Sequence, residues 1–193
     1  MWAASIFVLV TPVGCGDLVI DNDVTLSTSE LLILGMQPAG GSIGVGSAYV
    51  RNDRETFVRL QHSDAFRTLY AEVRFPIGAI TSLNGQPIGP GDSVLVALDP
   101  EPGRYGVTLS PAGLVLGSAV PRVTFSFATY GDFSVADGSS TYPSRTAYAN
   151  ALTLWFETTI GRWQRVSGSS FTGTDAVAGP LREPGRYLVA APR

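Results

Sequence analysis

Three side-chain types of nucleophilic catalysis stand in a row at His62-Ser63-Asp64, in the stretch QHSD. A serine hydroxyl activated by an imidazole that a carboxylate orients would perform acyl transfer. Adjacency argues against that chemistry, because triad members come from separate segments and neighbouring strand residues point to opposite faces. The only histidine is therefore expected at an exposed strand end, and no catalytic residue is expected.

Other chemistry-bearing residues are few. Asp17, Asp21 and Asp23 are grouped near the start, but their spacing lacks the glycine and closing glutamate of a calcium loop, so they read as turn residues. One His and one Cys do not make a metal cluster, and no metal or cofactor is expected. Gly44-Val45-Gly46 has Tyr49 where a dinucleotide loop needs its third glycine, and reads as strand and turn. Among the aromatics, Trp155 lies on the opposite strand face from Leu154 and Phe156 and is the candidate ligand-binding ring, for a glycan. Trp163 and Tyr187 are expected in the core.

The lone cysteine, Cys15, follows an apolar stretch from Trp2 to Val10, Pro12, and the small residue Gly14. That stretch is too short to span a bilayer but has the length of the apolar region of an export signal. Val13-Gly14-Cys15 resembles a bacterial lipobox, with Pro12 in place of the usual leucine, and marks Cys15 as the candidate lipid attachment site. The alternatives are a buried free thiol at Cys15 and a buried first strand. No basic leader precedes the apolar run, so Met1 is either not the true start or the run is not a signal.

These residues need elements to hold them. With 22 Gly, 13 Pro and 15% charged residues in 193, the chain suits many short strands joined by tight turns. Net charge is −3, without runs of like charge, which excludes the basic patch that nucleic-acid phosphate requires. All 13 basic residues are arginine, which reads as codon bias of a GC-rich bacterial genome. From Leu31 onward, strand-like runs such as TFVRLQ, SVLVALD and RVTFSFA alternate with turn signals such as LNGQPIGPGD and DPEPG. This predicts an all-β antiparallel β-sandwich of many short strands. A helical turn competes only in SDAFRTLYAEV. ALTLWFETTIGRWQRVSG reads as a hairpin turning near TTIG, and DAVAGPL and GRYLVAA as two final strands.

Gly40-Gly41, FPIGAI at 75–80 and SPAGLVLGSAVPRVTFSF at 110–127 occur in the order and spacing of a known pattern. In these steps, and in the Gly161-Arg162-Trp163 return and closing Tyr187, the chain resembles the domain shared by zonula occludens proteins, netrin receptors and ankyrins, the ZU-five domain, as found in bacterial envelope proteins. Ala112 and Leu116 depart from the usual polar residue and Phe, changes that preserve packing. Some relatives cleave their own backbone at His-Phe-Ser; here Pro184-Gly185-Arg186-Tyr187 stands at the matching strand, so self-cleavage is not expected.

The expected organisation is an export signal at 1–15, a tether or first edge strand at 16–35, and a ZU-five-like sandwich at 36–130. A connector at 131–150 and C-terminal hairpins at 151–193, packing on or completing the sandwich, follow. The resemblance and composition imply a non-catalytic module with a structural or protein-interaction role at the bacterial cell envelope or periplasm, membrane-anchored if Cys15 is lipidated. Its partner would be a protein or an envelope glycan, and not nucleic acid. Alternatives are a carbohydrate-binding module using Trp155, and a small hydrolase with acids that sequence does not pair.

Overall fold

The computed structural model describes residues 24–193. Alternation folds most of this chain: in Arg122–Ser126, Val123 and Phe125 are buried while Arg122 is exposed and Thr124 and Ser126 are half-buried. Ser93–Pro100 repeats the pattern, with Val94, Val96 and Leu98 inward. Period-two burial gives a sheet one apolar face, which a second sheet must cover.

The first strands are β1 (Thr25–Ser27), β2 (Leu31–Ile33), β3 (Gly35–Met36), β4 (Gly46–Arg51), β5 (Thr56–Gln61) and β6 (Leu69–Phe75). Then come β7 (Ile80–Leu83), β8 (Gln86–Pro87), β9 (Ser93–Pro100), β10 (Gly106–Ser110), β11 (Leu114–Leu116), β12 (Arg122–Ser126) and β13 (Gly131–Asp132). Helix α1 (Arg145–Ala151) precedes β14 (Thr153–Thr159), β15 (Arg162–Arg165), β16 (Ser170–Phe171), β17 (Ala176–Pro180) and β18 (Gly185–Pro192).

The larger sheet runs β1-β15-β14-β18-β10-β9-β4, with β2 joining the far end of β18. The facing sheet runs β16-β17-β12-β6-β5, and small sheets β11-β7-β8 and β13-β3 complete the set. Pairing is antiparallel throughout the described strands. The chain passes from one main sheet to the other between β4 and β5, across the turn at 52–54. Val50, Val96, Leu98, Val107, Leu154 and Val189 of the larger sheet meet Val58, Val73, Phe75, Val123, Phe125 and Val177 of the other in one core. The chain is an all-β antiparallel sandwich.

Residues on both sides of the expected boundaries share one sheet. β10 bonds β18 from Gly106↔Leu188 to Leu109↔Gly185, so the C-terminal hairpins complete the sandwich rather than pack on a finished one. Gly106 is required there: a Cβ would lie 2.5 Å from a Leu188 methyl and 2.6 Å from the Tyr187 carbonyl oxygen. Tyr70 of β6 links the sheets, its hydroxyl donating to the Arg104 carbonyl at 2.7 Å and accepting from the Gly106 N–H at 2.8 Å. SDAFRTLYAEV resolves into a turn and β6, with Phe66 90% exposed on the turn.

The region 131–150 is more than a connector. Ser144 caps α1, accepting from Ala147 N–H at 3.1 Å, and the helix buries Tyr148, whose hydroxyl donates to the Leu32 carbonyl at 3.0 Å. Within the described part of the 16–35 stretch, β1 is the outermost strand of the larger sheet and β2 pairs with β18. Cys15 and Asp17, Asp21 and Asp23 lie outside the described residues.

Phe125 is fully buried and its neighbour Thr124 is not, so the two should respond differently to truncation. Phe125→Ala should lower unfolding free energy by ~3–5 kcal/mol. Thr124→Ala should lower it by less than ~1 kcal/mol, both read from urea denaturation.

Candidate functional site

The candidate triad is dispersed by the fold. His62 follows β5 and is 1% exposed, contrary to the exposed strand end expected from sequence. Its cover comes from distant residues: the ring lies 4.5 Å from the Tyr130 ring and 5.6 Å edge-on from that of Tyr70. Nδ1 stands 3.0 Å from the Gly40 carbonyl oxygen. A carbonyl only accepts, so Nδ1 is the donor, while Nε2 is buried without a hydrogen-bond partner. Gly40 permits this approach, since a Cβ would sit 2.9 Å from Nδ1.

Ser63 turns instead to Ser42, with hydroxyl oxygens 3.5 Å apart. Asp64 accepts from the Thr68 N–H at 2.8 Å, from the Thr68 hydroxyl and from the Tyr130 hydroxyl at 2.8 Å. The Thr68 bonds chiefly hold its carboxyl below the usual range. Asp64 therefore closes a loop and anchors Tyr130 over His62.

Trp155 is also relocated. Its ring is 1% exposed, packed with Leu31, Trp163, Leu188 and Ala190, and its indole N–H donates to the Ala190 carbonyl at 3.1 Å. Alternation places it, as expected, opposite Leu154. However, the chain around Leu31, with Leu26 and Ile33, covers that outer face and forms a second small core. Trp155 therefore offers no exposed stacking ring. Trp163 and Tyr187 are buried as expected, and burial pushes the Tyr187 phenol up to about 12.

Sequence spacing gave no sign of a charge clamp centred on Arg186. Its Nε and Nη2 donate to both Glu101 carboxylate oxygens at 3.0 and 2.9 Å, and Nη1 donates to Glu157 at 2.8 Å. The guanidinium carbon lies 5.3 Å from the centroid of the Trp163 ring. The two acids come from β14 and from the loop after β9, so the clamp joins strands distant in sequence. It holds the Glu101 carboxyl below its ordinary value, chiefly through the Arg186 hydrogen bonds, and raises that of Arg186.

One hollow also escaped sequence reasoning. It has a volume of about 140 Å³ and a floor built by Phe156, Tyr187 and Val166. Phe156 and Tyr187 are cross-strand neighbours on β14 and β18, their rings tilted with centroids 5.0 Å apart. The Tyr187 hydroxyl is fixed at the rear, donating to the Glu183 carbonyl at 2.7 Å. Gln164, Arg165, Ser167, Arg182 and Glu183 complete its lining, Arg165 being paired with Trp155 in the β14–β15 register, on the sheet face away from Phe156. The cross-strand facing of Phe156 and Tyr187 was the legible signal, since both alternate inward.

Among the described residues, no group of three or more His, Cys, Asp or Glu is placed to hold a metal ion, and no helix is long and apolar enough to cross a membrane. No family model, curated protein or solved structure matches the chain.

Glu101 titrates below its ordinary 4.5 when folded, so its contribution to stability is complete above that value and lost as pH falls through the lower folded one. Glu101→Gln should lower stability by about 1 kcal/mol at neutral pH, with part of the clamp gone. As pH falls below 4.5 and through the lower folded value, the native protein should lose that advantage, and the two urea midpoints should converge.

Proposed function

We propose that the chain is a non-catalytic module of an exported bacterial envelope protein, with a ZU-five-like sandwich, a lipid anchor at Cys15 and a structural or protein-interaction role. The observation that carries the non-catalytic reading is the engagement of the residues most able to do chemistry. His62 is sealed beneath Tyr130 and bonded to backbone, Asp64 closes a loop, and Glu101 and Glu157 are both paired with Arg186. A general base must reach a substrate proton, and a nucleophile must be activated by a base within hydrogen-bond reach. These groups are instead structural.

The anchor rests on sequence: an apolar run of export-signal length, followed at lipobox distance by the single cysteine. The described structure is compatible with a tether, because β1 begins at Thr25 on the outermost strand of a sheet, with few residues separating it from Cys15. The family resemblance rests on the ordered FPIGAI and SPAGLVLGSAVPRVTFSF steps, both in strands and turns of the sandwich. Glycan binding through Trp155 is not retained, because that ring lies within the second core.

Intact mass spectrometry after expression in a bacterium with a working export system tests the anchor. The mature chain should begin at Cys15 and carry a lipid-sized mass increment that Cys15→Ser abolishes, with loss of the protein from the membrane fraction. A native chain starting at an unmodified Met1 would overturn it.

A further inference from the structure

The two main sheets end in four strands, and three of them are blunted. β1 has three residues and β16 two. β5 is bulged between Leu60 and Gln61, and the Ile43↔His62 bridge closes the edge just beyond it. β4 differs. Its six residues, GSAYVR, pair with β9 in unbroken register, contain no proline, and carry one charge, Arg51, already held by Asp53. A strand edge of this length and regularity is a template for another strand unless something blunts it.

Alternation along the ladder fixes which backbone groups of β4 are open. The Glu101 N–H bonds the Gly106 carbonyl at 3.0 Å; counting back from that pair, Gly46, Ala48 and Val50 exchange hydrogen bonds with Leu98, Val96 and Val94. The N–H and C=O groups of Ser47, Tyr49 and Arg51 therefore turn away from β9, and no backbone group meets them among the described residues. The side chains of these three residues stand on the outer face of the sheet, opposite the buried Val50. There Tyr49 is 68% exposed and its cross-strand neighbour Leu95 50%, with Val45 also exposed. An apolar patch beside an open strand edge has the character of a protein contact.

We propose that β4 pairs with β4 of a second copy of this chain, antiparallel about a two-fold axis at Tyr49. The sequence of β4 fits itself in that register. Tyr49 meets its own counterpart and Ser47 meets the second copy's Arg51, so the three open residues satisfy one another's N–H and C=O groups. On the outer face, Leu95 and Tyr49 continue into the second copy's Tyr49 and Leu95 as one apolar row. On the core side, half-buried Ala48 falls opposite the second copy's buried Val50, and no like charges are opposed within the strand pair. The inference rests on the interaction role proposed above, for which it names the partner. It is independent of the Cys15 anchor, so failure of either leaves the other standing.

Sedimentation equilibrium of the protein as the cell produces it, in density-matched detergent, tests this. It should show monomer and dimer with a dissociation constant on the order of 10 μM, the strength of a small transient interface. Because Tyr49 meets itself, Tyr49→Glu and Tyr49→Lys should each weaken the dimer ~10-fold or more while keeping the native urea transition. An equimolar mixture of the two variants should restore association to within ~3-fold of the unsubstituted protein, since opposite charges then face each other at the axis. A monomer up to about 500 μM would overturn the proposal and leave the edge to an extended segment of another protein. So would association beyond the dimer, a dimer that either substitution leaves intact, or variants that stay monomeric when mixed.

Discussion

β18 is hydrogen-bonded along both edges and covered on both faces, and most of the fold is arranged to keep it so. β14 and β10 flank it, with β2 extending the pairing beyond β10. Tyr187, Val189 and Ala191 point into the main core, while Leu188 and Ala190 point into the second one. A strand buried twice must read as a nearly continuous apolar run, and GRYLVAA does. The outer cover is supplied by residues around Leu31, so the start of the described chain is needed to finish a strand near its end. Gly106 is the corresponding demand on β10, where any side chain would strike β18.

Charge on this strand follows the same constraint. Arg186 precedes the apolar run, and its guanidinium is matched by two carboxylates and a tryptophan face. Salt-bridge energy at such a half-exposed position is modest, but the geometry fixes which acids lie together. Arg59 and Arg74 are likewise paired with Glu72 and Glu55 on the facing sheet, so its strands too are joined by matched charges at the surface.

The parts of this fold set by local alternation were legible from sequence. The strands around Val123 and Phe125, the hairpin turning at Ile160-Gly161 and the inward placement of Tyr187 follow from period-two patterning and turn residues. What was not legible depended on contacts between distant residues. Trp155 was correctly assigned to the face opposite Leu154, yet no local feature reveals that Leu31 will cover it. His62 looks like a strand end, and only Tyr130 and Gly40 make it interior. Helix α1 is an intermediate case: Ser144 is a recognisable cap, but the surrounding Gly, Ser and Thr mask a helix of about two turns held by Tyr148. The hollow at Phe156 requires both hairpins to be folded before it exists.

The outer end of the β2–β18 pair has a mechanical meaning. Leu31 faces Pro192, and Arg193 donates from its backbone to the Glu30 carbonyl at 2.8 Å, so the chain enters β2 and leaves β18 at the same corner. Tension drawn between those two points would open the antiparallel pairs one after another from Leu31–Pro192 inward, as a zipper opens, instead of shearing them together. The strand most protected from solvent would then be the first to yield under load, and peeling it would uncover Trp155 and Leu188 before the main core was disturbed.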